Sequence, residues 1–127
     1  MRLNRRVLQI ALAALLLSLP ALPALAHHGW GGNEDAEFDL TGTLVKQVSL
    51  AGPHATMQIK DKDGKVWDIT LAPPPRTSRA GLKEDSIPLG ATVMVHGHRN
   101  RNHDRLEVKT ERVTWEGKTF NVYPDRT

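Results

Sequence analysis

The chain has 127 residues and no cysteine, with 17 Lys and Arg against 14 Asp and Glu, a formal charge of +3. That length allows one domain with a modest core, and the lack of thiols excludes a disulfide scaffold, a thiolate metal site and a cysteine nucleophile. The positive charge is no argument for a polyanion: residues 1–26 hold three of the 17 basic residues and none of the 14 acidic ones, so the remainder is formally neutral.

Arg2, Arg5 and Arg6, an apolar run from Val7 to Leu19, Pro20 and Pro23, and Ala24-Leu25-Ala26 follow the order of a bacterial secretory signal. Residues 1–26 are therefore expected to be a signal peptide, cut after Ala26, that directs the protein to the periplasm or outside the cell. The apolar run is too short for a stable membrane span. Residues 27–37, with Gly29, Gly31 and Gly32 around Trp30, read as a flexible His- and Gly-rich arm, and residues 38–127 as a single β domain.

Within that domain Phe38 to Val48 has strand patterning, broken at Ala51-Gly52-Pro53. His54 to Lys60 predicts a second strand, with Ala55, Met57 and Ile59 on one face. Asp61-Lys62-Asp63-Gly64-Lys65 is a hairpin turn, and Val66 to Leu71 returns as strand three. Pro73-Pro74-Pro75 ends it, because proline cannot donate to a sheet ladder. Thr77 to Leu82 is expected to form a short helical turn capped by Thr77 or Ser78. Strand four spans Thr92–Arg99, strand five Arg105–Trp115, and after Glu116-Gly117 a short sixth strand runs from Lys118 to Val122. Three strands, a helix and then further strands give an all-β, OB-like antiparallel barrel of five to six strands. An open meander or a sandwich fragment is the competing architecture.

The histidines carry the chemistry. Cleavage after Ala26 leaves His27 as the first residue, so its α-amine and one ring nitrogen can chelate a single metal ion. A third nitrogen would complete the brace that copper favours, since Cu(II) accepts tetragonal nitrogen ligands. Cleavage one residue earlier would place His28 third, another amino-terminal copper arrangement. His54, held by Pro53 at the mouth of strand two, is the candidate third ligand; the plainer reading is a turn histidine capping a carbonyl. His96 and His98 are two apart on strand four and share a face with Met94, opposite Val93 and Val95. They are a weaker metal half-site, and the same pattern suits a polar solvent-facing strand. His103 lies in a charged loop and is expected only to be hydrated.

Other features carry less. Arg99, Arg101 and Arg105, with Lys109 and Arg112, form a basic cluster that Asp104, Glu107 and Glu111 balance. Aromatic stacking partners are scarce, with Trp67 and Trp115 expected in the core or as barrel-end plugs, and no nucleic-acid partner is expected. Asp61, Asp63 and Gly64 resemble the start of a calcium loop, but the later ligands are missing. No nucleophile elbow, HExxH, P-loop or GxGxxG is present.

His27-His28-Gly29-Trp30, Glu37-Phe38-Asp39, Thr41-Gly42-Thr43, Pro53-His54-Ala55, the Lys62-Asp63-Gly64-Lys65 turn and Leu89-Gly90 with Val93, Val95 and Gly97 together resemble a family of small secreted bacterial proteins of unknown function. Its members open His-His-Ser-Trp or a close variant and carry Asn-Pro-His before the second strand. The resemblance implies a small periplasmic β-barrel with no established activity, and supports His27, His28 and His54 as family-type histidines. Gly29 stands where the family has Ser and Gly52 where it has Asn; the helix is shortened and proline-rich; His96 and His98 match no family histidine.

The expectation is a periplasmic metal-binding carrier, buffer or sensor, not an enzyme. It holds copper, with zinc or nickel less favoured, through His27, His28 and His54. The alternative is an interaction module binding a periplasmic protein or an envelope glycan without metal, and a copper-dependent oxidative enzyme stands third.

Overall fold

A computed structural model describes residues 30–126; the expected signal peptide, His27 and His28 lie outside the described residues. Six strands, β1 (Phe38–Ser49), β2 (Thr56–Lys60), β3 (Val66–Thr70), β4 (Thr92–Arg99), β5 (Glu107–Trp115) and β6 (Lys118–Asn121), run in the order β3-β2-β1-β4-β5-β6. A parallel pairing of β3 with β5 closes the first five into a barrel and leaves β6 as an added strand. The OB-like expectation holds, with the open meander and the sandwich set aside. Among the described residues no helix is long and apolar enough to cross a membrane.

β1 serves both halves of the barrel. Phe38 to Thr43 pair with β4 and Thr43 to Ser49 with β2, with irregular register after Leu44 and Lys46. A side chain at Gly42 would press on the Lys60 carbonyl at 2.5 Å, so the strand crosses β2 only where there is none. The barrel interior is aliphatic: Leu44, Met57, Ile59, Ile69, Val93, Val95, Val108 and Val113 are all buried, and Phe120 of β6 packs with them. Burying each contributes about 1.5–3 kcal/mol. Trp67 is buried as expected and donates its indole N–H to Asp61 at 2.9 Å.

The helix among the described residues differs from expectation. α1 (Pro74–Arg79) starts on the prolines that end β3, rather than at Thr77. Proline lacks only a donor that the first helical turn leaves unused, so the same run both stops a strand and starts a helix. Thr77 is not a cap but a buried residue whose hydroxyl donates to the Ala72 carbonyl at 2.8 Å.

The β4–β5 ladder has one irregularity, and it sets the site. His96 pairs with Arg112 and Gly97 with Thr110, so Glu111 is an extra residue with no partner on β4. Such a bulge bends its strand and re-aims a side chain. Gly97 faces it: an added Cβ would collide with the Lys109 carbonyl oxygen and lie 2.8 Å from Thr110 Cα.

Two predictions follow from this packing. Gly97→Ala should lower stability by about 2–3 kcal/mol, since backbone rather than a flexible side chain must give way; a urea midpoint equal to wild type would rule out so close an approach. Asp61 accepts from the Asp63 and Lys65 amides and from Trp67. The Trp67 N–H first, then the Lys65 amide, holds its carboxyl below the usual range. A depressed folded pKa stabilises above the unfolded value of about 3.9 and is lost as pH falls through the folded one. The stability gap between wild type and Asp61→Asn should therefore be largest near neutrality and close in acid, as followed by denaturant melts across pH.

Candidate metal centre

The two histidines of β4 project from the outer face of the barrel, yet they are not on a solvent face. His96 is 8% and His98 7% exposed, whereas Met94 on the same strand is 40% exposed. What covers them is the chain on either side of the barrel. The register puts Asp39 of β1 and Arg112 of β5 opposite His96, and Lys109 opposite His98.

His96 Nδ1 lies 2.5 Å from Asp39 Oδ1 and its Nε2 3.5 Å from Glu37 Oε1. A carboxylate can only accept, so the Asp39 contact puts a proton on Nδ1. The Nε2 atom is buried and has no hydrogen-bond partner among the described residues; the same holds for Glu111 Oε2 and Arg99 Nε. An unsatisfied buried polar atom costs about 1–3 kcal/mol. Glu37, His96 and Glu111 each offer one donor atom, and the three lie within 4.8 Å of one another. Ligands around one tetrahedral zinc-sized ion stand roughly 3.4 Å apart, so the Glu37–His96 pair, at 3.5 Å, is already at that spacing. Asp39 then occupies the outer position in which a carboxylate fixes the tautomer of a metal-binding imidazole.

His98 plays a different part. Its Nδ1 donates to the Glu34 carbonyl at 2.9 Å and lies 3.2 Å from that of Ala36, while Nε2 is 2.7 Å from Glu111 Oε1. Both ring nitrogens are engaged, so it orients Glu111 rather than offering a free lone pair.

Aromatic and cationic side chains roof this group. The Trp30 ring meets His98 edge-on at 5.6 Å and Tyr123 at 5.2 Å, with Arg126 at 4.1 Å and Lys109 at 4.9 Å over its face. Burial lowers the Lys109 pKa, with Arg126 adding to the shift and Glu107 opposing it. Burial raises that of Tyr123 against the opposing pull of Arg76 and Arg126. The expected arm, from Trp30 on, is tied to the barrel: Asn33 donates to the His98 carbonyl at 2.9 Å, Glu34 N to Arg99 O at 2.8 Å and Arg101 N to Gly32 O at 2.9 Å.

The sequence-predicted residues are thus divided. His96 enters the donor group and His98 buttresses it. His54 is partly buried in the β1–β2 loop, outside the group, and makes no hydrogen bond among the described residues. Burial first, then the Lys109 charge, lowers its pKa, which favours the neutral imidazole a metal requires. His27 and His28 lie outside the described residues. His103, expected to be only hydrated, contacts the Glu34 carboxylate. Glu37, Asp39, Glu111, Trp30 and Arg126 escaped the sequence reading. Glu111 had a signal: Val108 and Val113 are both core residues on one strand an odd number of positions apart, which period-two alternation cannot satisfy without an extra residue.

DUF6152, a family of unknown function, matches residues 14–109. The chain belongs to this family. The match takes in His54, His96 and His98 and stops short of Glu111 and Arg126. No curated protein matches the sequence. Among solved structures, the fold is similar to a chain of the S. pombe Stn1-ten1 complex, with TM-score 0.49 and 15% identity over 65% of this chain and 59% of that one. It is also similar to a ZRD-deleted mutant of TiaS crystallised with agmatine, with TM-score 0.50 and 15% identity over 68% of this chain and 26% of that one. This chain therefore spans less than two thirds of either, and the likeness bears on the fold alone.

Glu111→Ala should destabilise the protein by about 3 kcal/mol, because it leaves His98 and Arg126 facing an emptied acceptor. Chemical denaturation measures this; a loss under 0.5 kcal/mol, roughly that of a surface substitution, would mean the buried pairing contributes nothing.

Proposed function

We propose that the protein is an exported metal-binding module of the cell envelope: a carrier, buffer or sensor for a divalent transition metal, copper ahead of zinc and nickel. One observation carries the reading. Two buried polar atoms with no hydrogen bond among the described residues, His96 Nε2 and Glu111 Oε2, lie on two of the three residues that with Glu37 form a donor group. One imidazole and two carboxylates suit a borderline divalent ion, and Cu(II) heads the affinity order for nitrogen and oxygen donors. We read the group as a site for binding rather than turnover.

The signal-like residues 1–26 support export to the periplasm. Cleavage after Ala26 would add a second donor set, the amine and imidazoles of His27 and His28 with His54, whose lowered pKa suits a ligand. The interaction-module reading stands behind this one, because two arginines of the basic cluster are engaged within the chain. Arg99 stacks on Trp67 at 4.9 Å, and Arg101 reaches the Gly31 carbonyl at 3.3 Å and Asp35 at 3.7 Å.

Calorimetric titration of the processed protein with Cu(II), Zn(II) and Ni(II) tests the proposal. A His27→Ala/His28→Ala/His54→Ala variant should still bind one equivalent. In that background Asp39→Asn should weaken binding about 10- to 100-fold, the effect of losing an outer-shell carboxylate, and Glu37→Gln at least as much. Both carboxylates are exposed, with side chains 62% and 59% accessible, so the fold is spared. Adding one residue before His27 in the otherwise wild-type protein should weaken binding at the amino-terminal set. Absence of stoichiometric metal from wild type and triple variant alike would overturn the reading.

A further inference from the structure

The buried carboxylate at the centre of the donor group already has a cation on it. Glu111 Oε1 accepts from Arg126 Nε at 3.2 Å as well as facing His98 Nε2 at 2.7 Å, and Arg112 Nη1 stands 3.9 Å from Oε2. The two arginines are not equivalent. Arg112 lies within β5, paired to both β4 and β6. Arg126 lies beyond the last strand, its side chain 44% exposed against 3% for Glu111, held by Glu111 and the Trp30 face.

We infer that Arg126 is the site's resident cation, which a metal entering at Glu111 displaces, so that the arginine sets the metal affinity and its departure signals loading. The inference rests on the metal reading above. A dication on Oε2 draws charge from the shared carboxylate and repels the guanidinium on its other oxygen, at separations where Coulomb energies outweigh thermal energy. Arg112 also faces Glu111 but starts from a paired strand and is 33% exposed, while Arg126, beyond the last strand, is 44% exposed. Arg126 is thus the more mobile of the two arginines and the one that swings into water. When it leaves, Trp30 loses its closest cation.

Were Arg126 merely a positioning residue for Glu111, its removal would weaken metal binding; as a competitor, its removal strengthens it. The probe is Zn(II), titrated by calorimetry into the His27→Ala/His28→Ala/His54→Ala protein with and without Arg126→Gln. The substitution should tighten binding about fivefold, equivalent to roughly 1 kcal/mol, as for a partly exposed ion pair. Arg76→Gln is the control: it removes the same charge from a residue that stacks on Tyr123 at 5.3 Å and pairs with no carboxylate among the described residues, and should leave affinity unchanged. In the protein retaining Arg126, the Arg126 Nε–H resonance should move to the free-arginine position as one equivalent of Zn(II) is added. Zinc binding with an unmoved resonance, or with affinity equal or lower in Arg126→Gln, overturns the inference and leaves the metal site standing. Failure of every variant to bind zinc overturns the inference, and failure to bind Cu(II) and Ni(II) as well overturns both.

Discussion

A β-strand whose two ends must both face one core has no freedom in its residue count, and β5 has one residue too many. Val108 and Val113 both reach the barrel interior, and the strand reconciles them by extruding Glu111 from the ladder where Gly97 lets the backbones close. An ordinary pair would have set another residue opposite β4. The bulge sets a carboxylate between two imidazoles instead, and the Glu111 carbonyl accepts from both the Val122 and Tyr123 amides, at 3.0 and 3.1 Å. The same extra residue therefore fixes the path of the chain after β6. Site and tail follow from one defect.

A buried carboxylate needs compensation, and the structure meets that need from several directions. His98 comes from β4, Arg126 from the tail and Arg112 from β5 itself. Across the sheet, β1 contributes Asp39 directly opposite His96, and Glu37 comes from the approach to that strand. Opposite charges are interleaved, yet Glu111 Oε2 and His96 Nε2 are each left without a hydrogen bond among the described residues. Apolar barrel packing holds them there, because none of the supporting strands can shift without disturbing Val93, Val95 and Val113.

The fold was largely legible because each strand carried its own stop. Gly52-Pro53, the Asp63-Gly64 turn, the triple proline and Glu116-Gly117 bracket the elements, and the positive φ of Gly52, Gly64 and Gly117 accords with that punctuation. The helix was misplaced by three residues because proline was read as a terminator alone. The donor group was harder to see. His96 and His98 stood out as a pair, but their burial depends on residues distant in sequence, Glu34 to Asp39 leading into β1 and Tyr123 to Arg126 after the last strand. Nothing local marks Asp39 as a partner of His96; only the β1–β4 register brings the two together. The glycine-rich composition around Trp30 suggested an arm, whereas the stacking of that ring on His98, Tyr123 and Arg126 is a property of the assembled surface.

The meeting of Trp30 with Arg126, 4.1 Å apart near the two limits of the described chain, couples those limits. Bound ring to guanidinium, residues 30 and 126 share one anchorage on the sheet, so a substitution at either loosens the hold on the other.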